Sequence, residues 1–197
     1  ASREWKGNYY LKAGGYMAKS EFIYDSNYKA TYYLKEDGAY VKNQWLQIKG
    51  KWYHFRKYGE LDTNKWIGSY YVKEHGMMAE NELVYDPTYN SSFYFDENGK
   101  YLNKQWKEID GDWYYFKDGG YIAKNEWVDS YFIKGNGRMA KNEMQYDQST
   151  SSSYYFKDDG TYAKNYWAKV GGYWYYFKGN GKVARKEWIE NKYYVLD

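Results

Sequence analysis

In the stretch WLQIKGKWYHF two tryptophans, Trp45 and Trp52, stand seven residues apart across a Lys-Gly pair. The spacing recurs at Trp106 and Trp113 around Asp110-Gly111, and at Trp167 and Trp174 around Gly171-Gly172. An indole face attracts cations through its quadrupole and offers a broad apolar surface for stacking. Dipeptides such as Asp-Gly and Gly-Gly reverse a chain in two residues. With such a turn at Asp110-Gly111, Glu108 and Trp113 become cross-strand partners, and Trp106 shares the face of Trp113 two residues along. Each tryptophan pair is then diagonal on one face, with backbones about 7 to 8 Å apart. Two rings at that separation leave a slot that a compact cation or a sugar ring can enter.

The slot also needs a third side. Tyr70 and Tyr131 occupy the equivalent positions in the unit that follows each of the first two pairs, and Met78 and Met139 come shortly after the glycines of those units. Three aromatic walls over a soft methionine floor suit a quaternary ammonium group, whose charge is diffuse, which has no hydrogen-bond donor, and whose surface is apolar. Most of the 30 tyrosines have a plainer task, gluing packed elements together.

Periodicity shows what positions these residues. All ten tryptophans fall into three frames of 61 residues: Trp45, Trp106 and Trp167; Trp52, Trp113 and Trp174; and Trp5, Trp66, Trp127 and Trp188. Nine glycines keep the same interval, among them Gly38, Gly99 and Gly160. Each block divides into units of 23, 21 and 17 residues, giving 6–22, 23–45, 46–66, 67–83, 84–106, 107–127, 128–144, 145–167, 168–188 and a partial 189–197. A fixed period of this kind marks a stacked array, in which each unit covers its neighbour. Runs such as WYYF (113–116) and SFYF (92–95) favour strands, and the two-residue turns make hairpins of them. A lone hairpin is marginal in water, so the hairpins must stack. The expected fold is all-β, a single elongated repeat solenoid of stacked β-hairpins, with irregular or mobile tips in the longest units, as at YDPTYNSS (85–92).

Composition agrees and excludes several classes. Aromatic residues make up 24% of the 197 positions, far above what disordered chains carry, so the chain folds. The 29 basic and 26 acidic residues alternate, which does not suit nucleic acid as a partner. No apolar run approaches the roughly 20 residues of a transmembrane helix, and ASREW at the start has no signal-peptide hydrophobic region. The absence of cysteine fits a bacterial surface protein and the cytosol alike.

WKEIDGDWYYFKDGGYIAKNEW (106–127), with Trp-x6-Trp-Tyr-Tyr-Phe followed by a glycine loop and an AKNEW linker, resembles the choline-binding repeats of pneumococcal surface proteins. The resemblance covers essentially the whole chain, and its mixture of unit lengths is most similar to the choline-binding modules of cell-separating endo-β-N-acetylglucosaminidases. It implies a superhelix of hairpins that holds choline between successive repeats by two Trp, one Tyr and often a Met. It further implies a secreted, wall-associated module without a cofactor, tethering an adjoining catalytic domain to phosphocholine on teichoic and lipoteichoic acids. Carried over by position, the sites are Trp45, Trp52, Tyr70 and Met78; Trp106, Trp113, Tyr131 and Met139; and Trp167, Trp174 and Tyr193, the last lacking a methionine within the sequence. Elsewhere the pattern breaks: Thr31, Ser69, Ser92, Ser130 and Ser153 replace the second tryptophan, which makes those junctions structural, with Tyr24, Tyr85 and Tyr146 as candidates for irregular sites. ASREW matches ARKEW (184–188) and YYVLD stops within a hairpin, as expected of a piece of a longer array.

Catalysis finds little support. His54 and His75 are isolated and unrepeated, and Glu21, Glu82 and Glu143 recur with the period, as solvated surface does. No metal-ligand cluster or phosphate loop is present in the sequence. Lys42, Lys124 and Lys164 in KNQW, KNEW and KNYW are read as plain exposed charges, with contact to teichoic phosphates as the lesser alternative. The alternative is a carbohydrate module, because glucan-binding repeats share aromatic-glycine hairpins; the Trp-x6-Trp pairs favour choline.

Overall fold

The computed structural model describes residues 3–196. Ala1, Ser2 and Asp197, and with them part of the ASREW and YYVLD readings, lie outside the described residues. The chain divides into two compact units, Ala1–Val84 with Tyr94–Tyr101, and Tyr85–Phe93 with Leu102–Asp197.

Among the described residues, twenty strands follow one another as antiparallel pairs. They are β1 (Glu4–Lys6) and β2 (Tyr9–Leu11), β3 (Glu21–Asp25) and β4 (Ala30–Leu34), β5 (Gln44–Ile48) and β6 (Lys51–Phe55), and β7 (Lys65–Ile67) and β8 (Tyr70–Val72). Next come β9 (Glu82–Asp86) and β10 (Ser91–Phe95), β11 (Gln105–Ile109) and β12 (Asp112–Phe116), and β13 (Glu126–Val128) and β14 (Tyr131–Ile133). The last are β15 (Glu143–Asp147) and β16 (Ser152–Phe156), β17 (Tyr166–Val170) and β18 (Tyr173–Phe177), and β19 (Glu187–Ile189) and β20 (Tyr193–Val195). The fold is all-β. The unit boundary after Trp45 falls inside β5, so the structural repeat is offset in phase from the unit drawn at the tryptophans.

Turn chemistry sets the register. Asp110 and Gly111 have φ of 52° and 83°, the doubly positive geometry that a two-residue hairpin turn needs, and Glu108 pairs with Trp113 as the spacing predicts. The longer tips are closed by carboxylates: Asp86 accepts from the Thr88 N–H at 2.8 Å, and Asp147 from the N–H and hydroxyl of Ser149 at 2.9 and 2.7 Å. These tips are bonded turns, not the irregular loops expected. Asp25, Asp86 and Asp147 recur at the 61-residue interval, a periodic signal the aromatic pattern overshadowed. The KN motif is explained too: Asn43, Asn125 and Asn165 hold φ of 46–51°, a left-handed conformation asparagine tolerates, where the chain enters the next strand.

After each hairpin the chain makes a small loop and returns. Its first contact is with the strand it has just left. The N–H groups of Ala18, Val41, Asp62, Ala79, Ala123, Ala140, Ala163 and Ala184 donate to that strand's carbonyls at 2.7–2.9 Å. Within each unit its second contact is with the preceding hairpin. Met78 N–H donates to Trp52 O and Met139 N–H to Trp113 O, both at 2.8 Å; Leu61 does so to Thr31, Ile122 to Ser92 and Val183 to Ser153. Stacking is therefore a backbone matter as well as an aromatic one. The fully buried residues are chiefly those closing the second strands, including Leu34, Phe55, Val72, Phe95, Phe116, Ile133, Phe156 and Phe177. Burying one such side chain at each level contributes about 1.5–3 kcal/mol.

One buried position breaks the apolar rule. Asp62, only 1% exposed, occupies the place that alanine fills at 123 and 184. It is matched by His54 Nδ1 at 2.6 Å, Arg56 Nε at 2.5 Å and Lys65 Nζ at 3.4 Å. Burial pushes its carboxyl upward, but the bonds from Arg56 and His54 and the charge of Lys65 outweigh this and hold it below the usual range. His54 is thus a partner for a buried acid. The recurrent glutamates also have partners: Lys12 with Glu21 (2.8 Å), Lys73 with Glu82 (2.7 Å) and Lys134 with Glu143 (2.8 Å) brace successive loops.

Candidate functional site

The middle tryptophan pair illustrates the geometry. Trp106 on β11 pairs across the ladder with Tyr115, and Trp113 on β12 pairs with Glu108. Tyr131, the first residue of β14, turns its ring edge-on to Trp106, with centroids 5.4 Å apart and planes at 73°. Met139 lies in the loop after β14 and is 9% exposed, in a cluster with Ala123 and Ile133 against which Trp106 and Tyr131 pack. Trp106, Trp113, Tyr131 and Met139 line one cavity of about 450 Å³, together with Asp159.

The other two sets repeat this arrangement. Trp45 meets Tyr70 at 5.6 Å and 66°, and Trp167 meets Tyr193 at 5.6 Å and 76°. Met78, 7% exposed, is tied to Trp52 by its N–H as Met139 is to Trp113. The third set is more open, with Trp174 at 62% exposure against 37% for Trp52 and 39% for Trp113. Among the described residues no aromatic ring packs on Trp52, Trp113 or Trp174 and no hydrogen bond uses their indole N–H. Each leaves a bare aromatic face beside an edge-on Trp-Tyr corner. Perpendicular rings around a hollow present several π-faces to one point, which suits a cation.

The floor is fixed from behind. Gly160 has φ +78°, and a Cβ there would come within 2.5 Å of the Met139 methyl; at Gly99 a Cβ would meet the Met78 methyl at 2.5 Å. A larger residue at either position would drive the methionine into the hollow. Periodicity of glycine thus preserves the cage as well as the turn.

Asp159 escaped sequence reading. Hydrogen bonds from the Thr161 hydroxyl and N–H, 2.6 and 2.9 Å long, hold its carboxyl below the usual range and put a negative charge at the rim of the middle cage. The corresponding residue of the first cage is Asn98, so no 61-residue pattern could have marked it.

The single-tryptophan junctions differ. Trp127 is surrounded by Phe132, Tyr154, Phe156 and Tyr162 at 4.9–5.4 Å, and its indole N–H donates to Asp147 at 2.9 Å. Trp5 likewise donates to Asp25 at 2.7 Å. Tyr24, Tyr85 and Tyr146 are more than half exposed. Lys42 and Lys164 place their ammonium groups over Tyr40 and Tyr162, 5.5 and 4.6 Å from the ring centroids. Among the described residues no cluster of His, Cys, Asp and Glu is placed to hold a metal ion, and no helix is long and apolar enough to cross a membrane.

Comparison with known proteins places this geometry. The family described as the choline-binding repeat matches residues 60–101, and the family described as a cell wall binding repeat matches 43–60, 104–122 and 165–183. A Streptococcus pneumoniae protein named as an endo-beta-N-acetylglucosaminidase is 40% identical over 108 residues, 55% of this chain and 16% of that protein. Glucosyltransferase-S of Streptococcus downei is 30% identical over 119 residues, 58% of this chain and 9% of its own length. The modular autolysin LytC of Streptococcus pneumoniae, solved with a synthetic peptidoglycan ligand, is 43% identical with a TM-score of 0.64, over 100% of this chain and 41% of LytC. The chain therefore spans well under half the length of these relatives. With its paired tryptophans, stacked hairpins and matched repeats, this chain belongs to the family of choline-binding repeat modules.

Proposed function

We propose that the chain is a non-catalytic anchor that captures choline groups of teichoic and lipoteichoic acids in three cages, Trp45/Trp52/Tyr70/Met78, Trp106/Trp113/Tyr131/Met139 and Trp167/Trp174/Tyr193. The observation that carries this reading is the unpacked second tryptophan of each pair, held by the backbone beside a Trp-Tyr corner. A quaternary ammonium replaces water on that face at little cost, because it has no donor left to satisfy. Units 6–22 to 168–188, with the partial 189–197, act as one array. The larger protein is a secreted cell-wall hydrolase, a glucosaminidase, that the array keeps on the wall.

Each cage alone is weak. Three aromatic walls of about 1 kcal/mol or somewhat more, less the entropy of capture, give a dissociation constant on the order of millimolar. A polymer carrying many phosphocholines makes later contacts intramolecular, and two or three cages together gain about 10²-fold.

Calorimetry with choline and its neutral isostere 3,3-dimethylbutanol tests the charge requirement, and choline is expected to bind clearly better. Equal affinities would overturn the cation cage. The streptococcal glucosyltransferase relative gives the sugar reading a specific basis. Glucan oligomers that displace choline would favour it.

A further inference from the structure

The first two cages have the same walls but not the same rim. In the middle one Asp159 joins Trp106, Trp113, Tyr131 and Met139 in lining the cavity. Its place is fixed by the residue that follows it. A Cβ added at Gly160 would meet the Met139 methyl at 2.5 Å and Tyr131 Cδ1 at 3.2 Å, so the loop carrying Asp159 runs against both the floor and the third wall. A Cβ at Gly99 would meet the Met78 methyl at 2.5 Å in the same way, which puts Asn98 at the matching place beside the first cage. One period apart, the rim carries an amide in one copy and a carboxylate in the other.

The carboxylate is kept charged and open. Thr161 donates to Asp159 Oδ1 from its hydroxyl at 2.6 Å and from its N–H at 2.9 Å, and these bonds, with the charge of Lys157, hold the carboxyl below the usual range. Both bonds fall on Oδ1; the residue is exposed, and Oδ2 is left for a ligand. Other charged groups nearby are engaged elsewhere. Asp158 accepts from Asn142 Nδ2 at 2.7 Å, and Arg138, next to Met139 in the chain, is paired with Asp112 at 3.2 Å; neither Asp158 nor Arg138 lines the cavity. In the first copy the loop is closed instead by Asp96, which accepts from the N–H groups of Asn98 and Lys100, both at 2.9 Å, and the residue at the rim is neutral.

The rim meets the end of the ligand that the rings leave out. Choline carries a two-carbon arm ending in a hydroxyl, whereas in phosphocholine the same oxygen is esterified to phosphate. A hydroxyl can donate to a carboxylate; an esterified oxygen has no hydrogen to give, and its phosphate brings a negative charge of its own. Resting on the choline-capture reading, we propose that Asp159 is a specificity-determining residue, which makes the middle cage select choline with a free hydroxyl over phosphocholine, a selection that Asn98 does not supply at the first. On a wall polymer the same carboxylate sets the orientation, because the phosphodiester has to leave the cage on the side away from the Gly160 loop. The middle cage is then the one from which free choline most readily displaces the wall.

The whole chain, labelled with ¹⁵N, is titrated at pH 7 and low, constant ionic strength with choline and with phosphocholine. Indole N–H signals of Trp52 and Trp113, assigned by single Trp→Phe substitutions, report the two cages separately. The preference for choline at Trp113 is expected to be about fourfold stronger in the parent than in Asp159→Asn, roughly twofold from attraction of the ammonium and twofold from repulsion of the phosphate by an exposed carboxylate. The preference at Trp52 is expected to be the same in both chains. A Trp113 preference that survives in a folded Asp159→Asn chain, or one that falls at Trp52 by as much as at Trp113, overturns the role of Asp159 and leaves choline capture standing. A Trp113 signal that answers neither ligand overturns choline capture and this inference with it.

Discussion

Trp106 and Trp127 are the same side chain on the first strands of successive hairpins, yet their surroundings are opposite. Trp127 is enclosed by four rings and its N–H is taken by Asp147. Trp106 has Tyr115 and Tyr131 for company, while the wall across from it, Trp113, is bare on one face. What separates the two junctions is the residue two places before the cross-strand partner of the tryptophan, Trp113 in the hairpin of Trp106 and Ser130 in the hairpin of Trp127. With Ser130 there, Phe132, Tyr154, Phe156 and Tyr162 close around Trp127. Where that residue is tryptophan, the rings stand apart around a hollow. An indole packed among rings with its donor satisfied stabilises the fold, and one left without a partner is available to a ligand.

The largest expected effect breaks the enclosed side. Trp127→Ala should cost about 3 kcal/mol, read as a lowered urea midpoint, because it removes a ring packed against four others and leaves Asp147 without its indole donor. Per-cage choline affinity should hardly change in the folded variant. Trp113→Ala should do the reverse: a loss of under about 1 kcal/mol for a side chain 39% exposed, but retention on choline-bearing walls weakened about tenfold or more. If both substitutions act alike on retention at matched stability, the distinction between the junctions fails.

Acid should sharpen the contrast. Burial pushes the Asp147 carboxyl up, but hydrogen bonds from Ser149, Trp127 and Thr150 bring it down to about 2. Since that is below the ordinary unfolded value near 3.9, its contribution is fully present above about pH 4 and is lost as pH falls towards 2. Asp147→Asn is expected to lower stability at pH 7 by about 1 kcal/mol, and parent and variant should converge on acidification, as denaturant melts across that range would show. The smallest effect is at the rim of the cage. Asp159→Asn should weaken choline binding in the middle site about twofold, less in high salt, because an exposed charge is screened. NMR of the Trp113 indole would read it, and an unchanged affinity at low salt would remove Asp159 from the site.

Much of this was legible in the chain. The 61-residue interval, the two-residue turns and strand alternation together give the hairpins, the Glu108-Trp113 register and the faces of the tryptophan pairs, because each depends on local chemistry repeated in sequence. The return loops were not legible: their N–H groups bond to carbonyls, which no side chain encodes. Single-copy features were hidden for the same reason that periodic ones were visible. Asp62 with His54, and Asp159, occupy positions whose sister repeats carry Ala123 with Tyr115, and Asn98. Their significance comes from burial and neighbours, which exist only once the repeats are stacked.

The return loop has a consequence for how such a chain changes over generations. It docks by giving an N–H to the carbonyl of Thr31, Trp52, Ser92, Trp113 or Ser153, and a carbonyl is common to every residue. The docking is therefore blind to the side chain at that position, which threonine, serine and tryptophan fill in turn. Exchanging serine for tryptophan there alters a site without altering the scaffold's own bonding. Under the proposed function, loss of a tryptophan there would remove a cage by one substitution while the architecture is inherited unchanged, whereas gaining one beside Phe22 or Met144 would supply only half of a pair.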